Sequence, residues 1–291
     1  MRSHATVRIL PLLAPVHILI LSVIVLPSLY VIWLSLSTST FGQAPSFVGL
    51  QNYIRVLTDP AFHNALINTV VLVVVAVHLE MAIGLGMALL FASGLPLRRV
   101  LVVAVLAPYA VSEVTAVVMW RFLFDPDAGP VTLALRAVNL PTLDWSFEPS
   151  HAMILIGLLT IWLHLPFTFI IIYAARLAIP GELYESARVD GATGWQSFRR
   201  VTLPLLGPAI VIALLFRYIF AFRLFSEAWL LTKGGPARST EVVAIYLYQE
   251  AFSFNAFGTA AATAWIMVVA SMLLAAGYVL VLRGKLGAHA H

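Results

Sequence analysis

The residues able to do chemistry fall into two groups. The first is the polar segment Glu182–Pro208, which reads Glu-Leu-Tyr-Glu-Ser-Ala-Arg-Val-Asp-Gly-Ala-Thr-Gly-Trp-Gln-Ser-Phe-Arg-Arg-Val-Thr-Leu-Pro-Leu-Leu-Gly-Pro. Glu182 and Glu185 lie three apart, which puts both carboxylates on one helix face. Good helix formers run from Glu182 to Asp190, and Leu183, Ala187 and Val189 offer an apolar side. Gly191 is free to take a positive φ and end that helix. Thr193 is placed to cap a second helix over Gly194–Thr202. Trp195, Phe198 and Val201 then form a stripe at i, i+3 and i+6. Leu203-Pro204 is expected to stop that helix, with Pro208 near the start of the next one. Two uses of the segment are open. It is an amphipathic pair at a membrane interface, or a docking element. In the second case an acidic edge, a small-residue face at Ser186 and Ala187, and a glycine hinge seat in another protein's groove.

The second group is ionisable side chains inside apolar runs: Glu80, Glu113, Arg121, Arg217, Arg223 and Glu227, with His78 and His164. Charges in such runs are costly and point to function. Arg121 and Glu227 lie near the ends of their runs, where they can snorkel. Arg223 and Glu227 are four apart and can pair on one helix. Glu80 either pairs within a bundle or marks the end of a tilted span. Glu113, His164 and Arg217 are the better candidates for lining a solute path. Arg217 suits an anionic group on a solute, or else neutralises Glu113 across the bundle. Catalysis finds no support. His151 and His164 lie thirteen apart on one span, H-E-x-x-H is absent, and the chain has no cysteine.

The elements that must position these residues follow from composition. Of 291 residues, 61% are apolar and only 10% charged, against about 25% charged in soluble domains. Mean hydropathy is +0.97. Such a chain has too little polar surface to cover a soluble fold. Six apolar stretches are long enough to span a bilayer. They run over Ile9–Leu36, Ala65–Phe91, Val100–Phe124, Ala152–Ala175, Ala209–Leu231 and Ala256–Leu282. Runs such as Val70–Val77 do not alternate in polarity, so helices are expected rather than a barrel. The first stretch is too long for a signal peptide and reads as a retained span. No segment is long enough for a separate soluble core, so residues 1–291 form a single transmembrane domain.

Orientation follows from the basic residues. Arg2, Arg8, Arg98, Arg99, Arg176, Arg188, Arg199, Arg200, Arg283 and Lys285 flank alternate loops and both termini. The other loops carry Arg55, Arg136, Lys233 and Arg238. The excess places both termini in the cytoplasm and the Asp125–His151 loop outside, with Trp145 as an interfacial anchor. Scattered over short loops, these residues make no nucleic-acid footprint. His289 and His291 sit in a polar tail and look inert.

The polar segment also resembles a known family. Glu185-Ser186-Ala187-x-x-Asp190-Gly191-Ala192, five residues, Phe198, then Val201-x-Leu203-Pro204 and Pro208 is similar to the EAA loop of ABC importer permeases. Ser186 departs from the usual alanine by one small group. The slot, between spans four and five on the cytoplasmic side, is the family's. Leu231-Thr232-Lys233-Gly234-Gly235-Pro236, Thr240-Glu241 and Tyr246-x-Tyr248-x-x-Ala251-Phe252 resemble the carbohydrate-importer branch of maltose and trehalose type. So do Val48-Gly49-Leu50-x-Asn52-Tyr53, Asn68-Thr69 and Pro108-Tyr109. The likeness covers nearly the whole chain.

The resemblance implies an all-α polytopic permease with the type I ABC importer fold. It implies a second homologous permease subunit, a dimer of ABC ATPases underneath that carries the ATP and Mg, and an extracytoplasmic solute-binding protein delivering a sugar-type solute. No cofactor is expected on this chain, and the membrane would be the inner membrane of a prokaryote. Glu182, Glu185, Ser186, Ala187, Asp190, Gly191 and Ala192 would couple to the ATPase, with Glu185 meeting an arginine there. The family's solute-contact stretches match Tyr109 and Glu113; Thr160, Leu163, His164 and Phe167; and Arg217, Phe220, Ala221 and Leu224. Arg217, Ala221 and Leu224 depart from the asparagine or serine common in neutral-sugar members. The competing reading is an ion-coupled secondary sugar transporter, which buried Glu and Arg would allow. It gives the EAA-like loop no task, and no inverted repeat is visible.

Overall fold

The long apolar runs become helices because a helix satisfies its own backbone groups where water is absent. The computed structural model describes residues 14–287, and their side chains except for 279 and 281–287. Arg2, Arg8, His289 and His291 lie outside the described residues, as do the side chains of Arg283 and Lys285. The helices are α1 Ala14–Ser35, α2 Gln51–Thr58, α3 Pro60–Ala92, α4 Arg98–Ala110, α5 Glu113–Leu123 and α6 Pro130–Ala137. There follow α7 Pro149–Leu177, α8 Gly181–Val189, α9 Gly194–Ala221, α10 Ser226–Thr232, α11 Val243–Tyr248 and α12 Phe257–Gly287. A hairpin pairs β1 Ser37–Thr38 with β2 Ser46–Phe47.

Among the described residues five helices, α1, α3, α7, α9 and α12, are long and apolar enough to cross a membrane. The sixth expected span differs. Val100–Phe124 is not one rod: α4 and α5 meet at an angle of 102°. Ala107–Ala110 tightens into a 3₁₀ turn carrying Pro108, and Ser112 restarts the chain by capping Thr115 N at 3.2 Å. The fifth expected span also differs at both ends. Leu203-Pro204 does not stop the helix that follows Thr193. A wide turn with i→i+5 bonds over Phe198–Thr202 precedes the stretch where Pro204 and Pro208 remove two donors, so α9 runs through. At its far end α9 stops at Ala221, and α10 is a separate helix.

Two compact units emerge. One comprises residues 1–63 with 246–268, as far as they are described. Here Asn52 Nδ2 donates to the carbonyls of Ser35 and Ser37, both at 2.9 Å, and Tyr53 OH meets Ser35 Oγ at 2.8 Å. A Cβ on Gly258 would collide with Ser37 O, so only glycine fits there. Tyr246 OH donates to Asp59 Oδ2 at 2.8 Å, and its ring meets Phe62 edge-on. Burial, reinforced by that bond, pushes the Tyr246 phenol above its ordinary range.

The other unit comprises residues 64–245 and 269–291, as far as they are described. Its main core packs α5 and α10 against α7 through Val117, Ala152, Leu155, Leu159, Ala228 and Leu231. A second core joins Phe91, Phe169, Ile172, Leu206 and Ala213. Thr168 lies so near Gly84 that a Cβ there would sit 3.1 Å from its methyl. Asn68 Nδ2 donates to the carbonyls of Ser239 and Glu241 at 2.8 and 3.0 Å, and Val243 N donates to Thr69 Oγ1 at 2.9 Å. These bonds give the Asn-Thr pair its task, anchoring the Gly-Gly-Pro loop. Trp145 is no interfacial anchor. It is 8% exposed, its Nε1 donates to Phe124 O at 2.7 Å, and Arg121 lies over its ring. Arg121 also donates to Leu230 O at 3.1 Å, so protein contacts hold it.

Candidate functional site

All ten residues expected on the solute path line one cavity of about 540 Å³ in the larger unit. Tyr109 and Glu113 come from the two sides of the α4–α5 break. That break turns the chain sharply enough to bring both side chains to one mouth. Thr160, Leu163, His164 and Phe167 form one face of α7, at i, i+3, i+4 and i+7. Arg217, Phe220, Ala221 and Leu224 come from the end of α9 and the bend after it. Phe167 and Phe220 meet edge-on with centroids 6.4 Å apart, and Tyr109 is 61% exposed. Aromatic faces and polar groups therefore share one wall, a composition that suits a hydroxylated ring.

The charges pair differently from the sequence expectations. Arg217 does not neutralise Glu113. Its Nε and Nη2 donate to Glu80 Oε2 and Oε1 at 2.6 and 2.8 Å, a bidentate pair between α9 and α3. Both side chains are buried, at 3% and 0% exposure. Glu80 is thus a bundle partner rather than the end of a span. Nor does Glu227 pair with Arg223. The chain leaves the helix between them, and Glu227 Oε1 instead meets His164 Nε2 at 3.1 Å. Glu227 is 3% exposed, so it does not snorkel. Arg223 is exposed, lines the cavity, and pairs with no carboxylate among the described residues. Glu113 stands in the first turn of α5, where the helix dipole favours its negative charge. Thr160 is 1% exposed, and its Oγ1 has no hydrogen-bond partner among the described residues.

The spacing of four allows Arg223 and Glu227 to pair with each other, and Pro108 and Val111 are not among the expected lining residues, yet all four line the cavity. No local spacing could have found Glu227, because its partner lies 63 residues away across a helix break.

The polar segment folds as its spacing implies, with one exception already described. α8 ends in a paired-bond turn: Ala192 N donates to Ala187 O at 2.9 Å and Gly191 N to Arg188 O at 3.0 Å, with Gly191 at φ +77°. Thr193 and Gln196 close a reciprocal cap, at 3.3 Å into Thr193 Oγ1 and 2.8 Å into Gln196 Oε1. Tyr184 holds α8 to the body through Thr202 Oγ1 at 3.0 Å and under the Arg176 guanidinium. Glu182, Glu185, Ser186, Asp190 and Gly191 are exposed, with Ala187 and Ala192 half-buried. Ala187, Asp190, Gly191 and Ala192 line a groove of about 340 Å³ with Gln196, Ser197, Arg200 and Val201. Val189 is 88% and Trp195 68% exposed, so these two apolar residues face outward, while Phe198 and Val201 are half-buried.

Comparison with known proteins places this arrangement. Residues 80–285 match the family described as binding-protein-dependent transport system inner membrane component. The chain is 36% identical over 281 residues to the sulfoquinovosyl glycerol transport system permease protein of Agrobacterium fabrum, covering 94% of this chain and 90% of that one. It is 35% identical over 241 residues to the trehalose/maltose transport system permease protein of Thermococcus litoralis, covering 82% and 80%. A chain of a bacterial ABC transporter involved in import of the acidic polysaccharide alginate superposes with a TM-score of 0.81 at 23% identity, covering 96% and 94%. That likeness concerns the fold.

Proposed function

This chain belongs to the family of binding-protein-dependent transport system inner membrane components, and we propose that it is the permease subunit of an ATP-driven sugar importer. The solute is a sugar or sugar derivative, and the whole chain works as one permease domain in a prokaryotic inner membrane with both termini cytoplasmic. One observation carries the reading. The ten positions that the sugar-importer resemblance marks as solute contacts converge from three separate stretches on one 540 Å³ cavity. The named relatives, permeases of sulfoquinovosyl glycerol and of trehalose/maltose systems, support the solute class.

The chain itself carries out no chemistry. It presents Glu182, Glu185, Ser186, Ala187, Asp190, Gly191 and Ala192 to one subunit of an ATPase dimer, which holds the ATP and Mg. Glu185, exposed on α8, pairs with an arginine there, and the Gly191 turn fixes the angle between α8 and α9. A second permease subunit completes the pathway, and a solute-binding protein delivers the sugar from outside. Closure of the ATPase dimer moves α8 and α9 as a continuous lever, and the cavity alternates between the two sides.

The test is uptake by the full complex in proteoliposomes. Sugar uptake is expected only with the binding protein, the ATPases and internal-face ATP. Ala221→Trp, which fills part of the cavity, is expected to abolish uptake while the complex still assembles. Uptake driven by an ion gradient without the ATPases would instead establish the secondary-transporter reading.

A further inference from the structure

Arg217 is the one lining cation that is buried. Taken alone, a dry guanidinium is an anion receptor. The structure removes that property. Glu80, which does not line the cavity, takes two of the three guanidinium nitrogens from behind. The third, Nη1, bonds to no described residue. One α-helical turn from His164, Thr160 adds a buried hydroxyl that is also without a partner. The cavity wall therefore holds unpartnered hydrogen-bonding groups without a net cation at Arg217. The other lining charges do not restore one there: Arg223 and Glu113 contribute one charge of each sign to the lining without pairing, and Glu227 faces His164.

We infer that Glu80 is a positioning residue that sets the charge preference of the solute cavity. By locking Arg217 side-on and cancelling its charge, it turns an anion receptor into a reader of uncharged sugar hydroxyls. An anionic solute would sit beside a carboxylate as well as a guanidinium, and would lose its hydration for little Coulomb gain. A neutral hydroxyl needs only the directional Nη1–H donor and the Thr160 hydroxyl. Arg217 thus supplies geometry, and Glu80, one layer back, supplies selectivity. The inference rests on the reading of this cavity as the solute path.

The experiment uses the full complex in detergent and two ring-matched probes, methyl α-glucopyranoside and methyl α-glucopyranosiduronate. Competitive saturation-transfer NMR gives their affinity ratio at the permease. The wild type is expected to favour the neutral probe. Glu80→Gln keeps the shape of the side chain but frees the Arg217 charge. It should move the ratio toward the uronate by about tenfold or more. Arg217→Gln leaves the Glu80 charge alone and should move it the opposite way. The double substitution, with no buried net charge, should return the ratio to the wild-type side. A residue that only stabilised the fold would shift both single variants alike or not at all. Unchanged ratios, a wild type that favours the uronate, or no binding of either probe would overturn the inference. The underlying reading fails separately: it falls if Ala221→Trp leaves uptake of the protein's own cargo intact.

Discussion

The cavity and the α8–α9 corner are both polar sites in an apolar chain, yet they are built in opposite ways. The corner is local. The bonds that end α8 and cap α9 join residues five or fewer apart, Ala187 to Ala192 and Thr193 to Gln196. The cavity is assembled at long range, with Arg217 and Glu80 separated by 137 residues and His164 and Glu227 by 63. The corner also leaves its side chains in the open, whereas the cavity's ion pair is dry. The difference teaches where failure should appear. A change behind the cavity disturbs stability and function together. A change at the corner disturbs function with little effect on the fold.

The largest effect is expected at the buried pair. Arg217→Ala leaves the Glu80 carboxylate without its partner and should cost about 3–5 kcal/mol in reversible unfolding in mixed micelles. Unfolding indistinguishable from wild type would break the comparison, since the pair would then be no more demanding than an exposed one. Outside the long spans, Tyr246 offers an intermediate case at long range. Its phenol is raised by burial, so the unfolded chain ionises first as pH rises. The stability it contributes is complete below about pH 10 and declines above that. Tyr246→Phe should flatten this alkaline decline and, with the bond to Asp59 lost, cost about 2 kcal/mol at neutral pH. An unchanged alkaline slope would assign the titration to other groups.

At the corner the effects are smaller. Gly191→Ala forces a Cβ into φ +77° and should cost about 1 kcal/mol. Nothing crowds that Cβ, so any larger loss of uptake would reflect the angle between α8 and α9. Thr193→Ala removes the cap and should cost about 1 kcal/mol or slightly less. Glu185→Gln should leave the unfolding midpoint where it is and still lower uptake and solute-stimulated ATPase activity. A parallel fall in the midpoint would show that the corner is structural after all.

How far the sequence could be read follows the same division. The glycine at Gly191, the cap at Thr193 and the helix between Pro180 and Asp190 were legible because each depends on neighbours within one turn. The candidate lining was legible by resemblance, since Tyr109, His164 and Arg217 sit in recognisable patterns. The partners of the charges were not. Glu80 offers no local spacing that points to Arg217, and the separation of four residues points Glu227 to Arg223. That rule holds only where the helix continues, and here it stops at Ala221. The broken span was hidden for a related reason. Hydropathy measures apolar length and is blind to a 102° turn at Val111-Ser112.

By itself, then, the sequence determined a helical membrane chain, four of its six spans and the local turn at the α8–α9 corner. These rest on composition and on bonds between near neighbours. Only the tertiary structure decided that Arg217 answers to Glu80 and His164 to Glu227, and that α4 and α5 meet at a bend lining the cavity. Those outcomes depend on which helix faces which in a packed bundle, and no spacing along one chain segment encodes that.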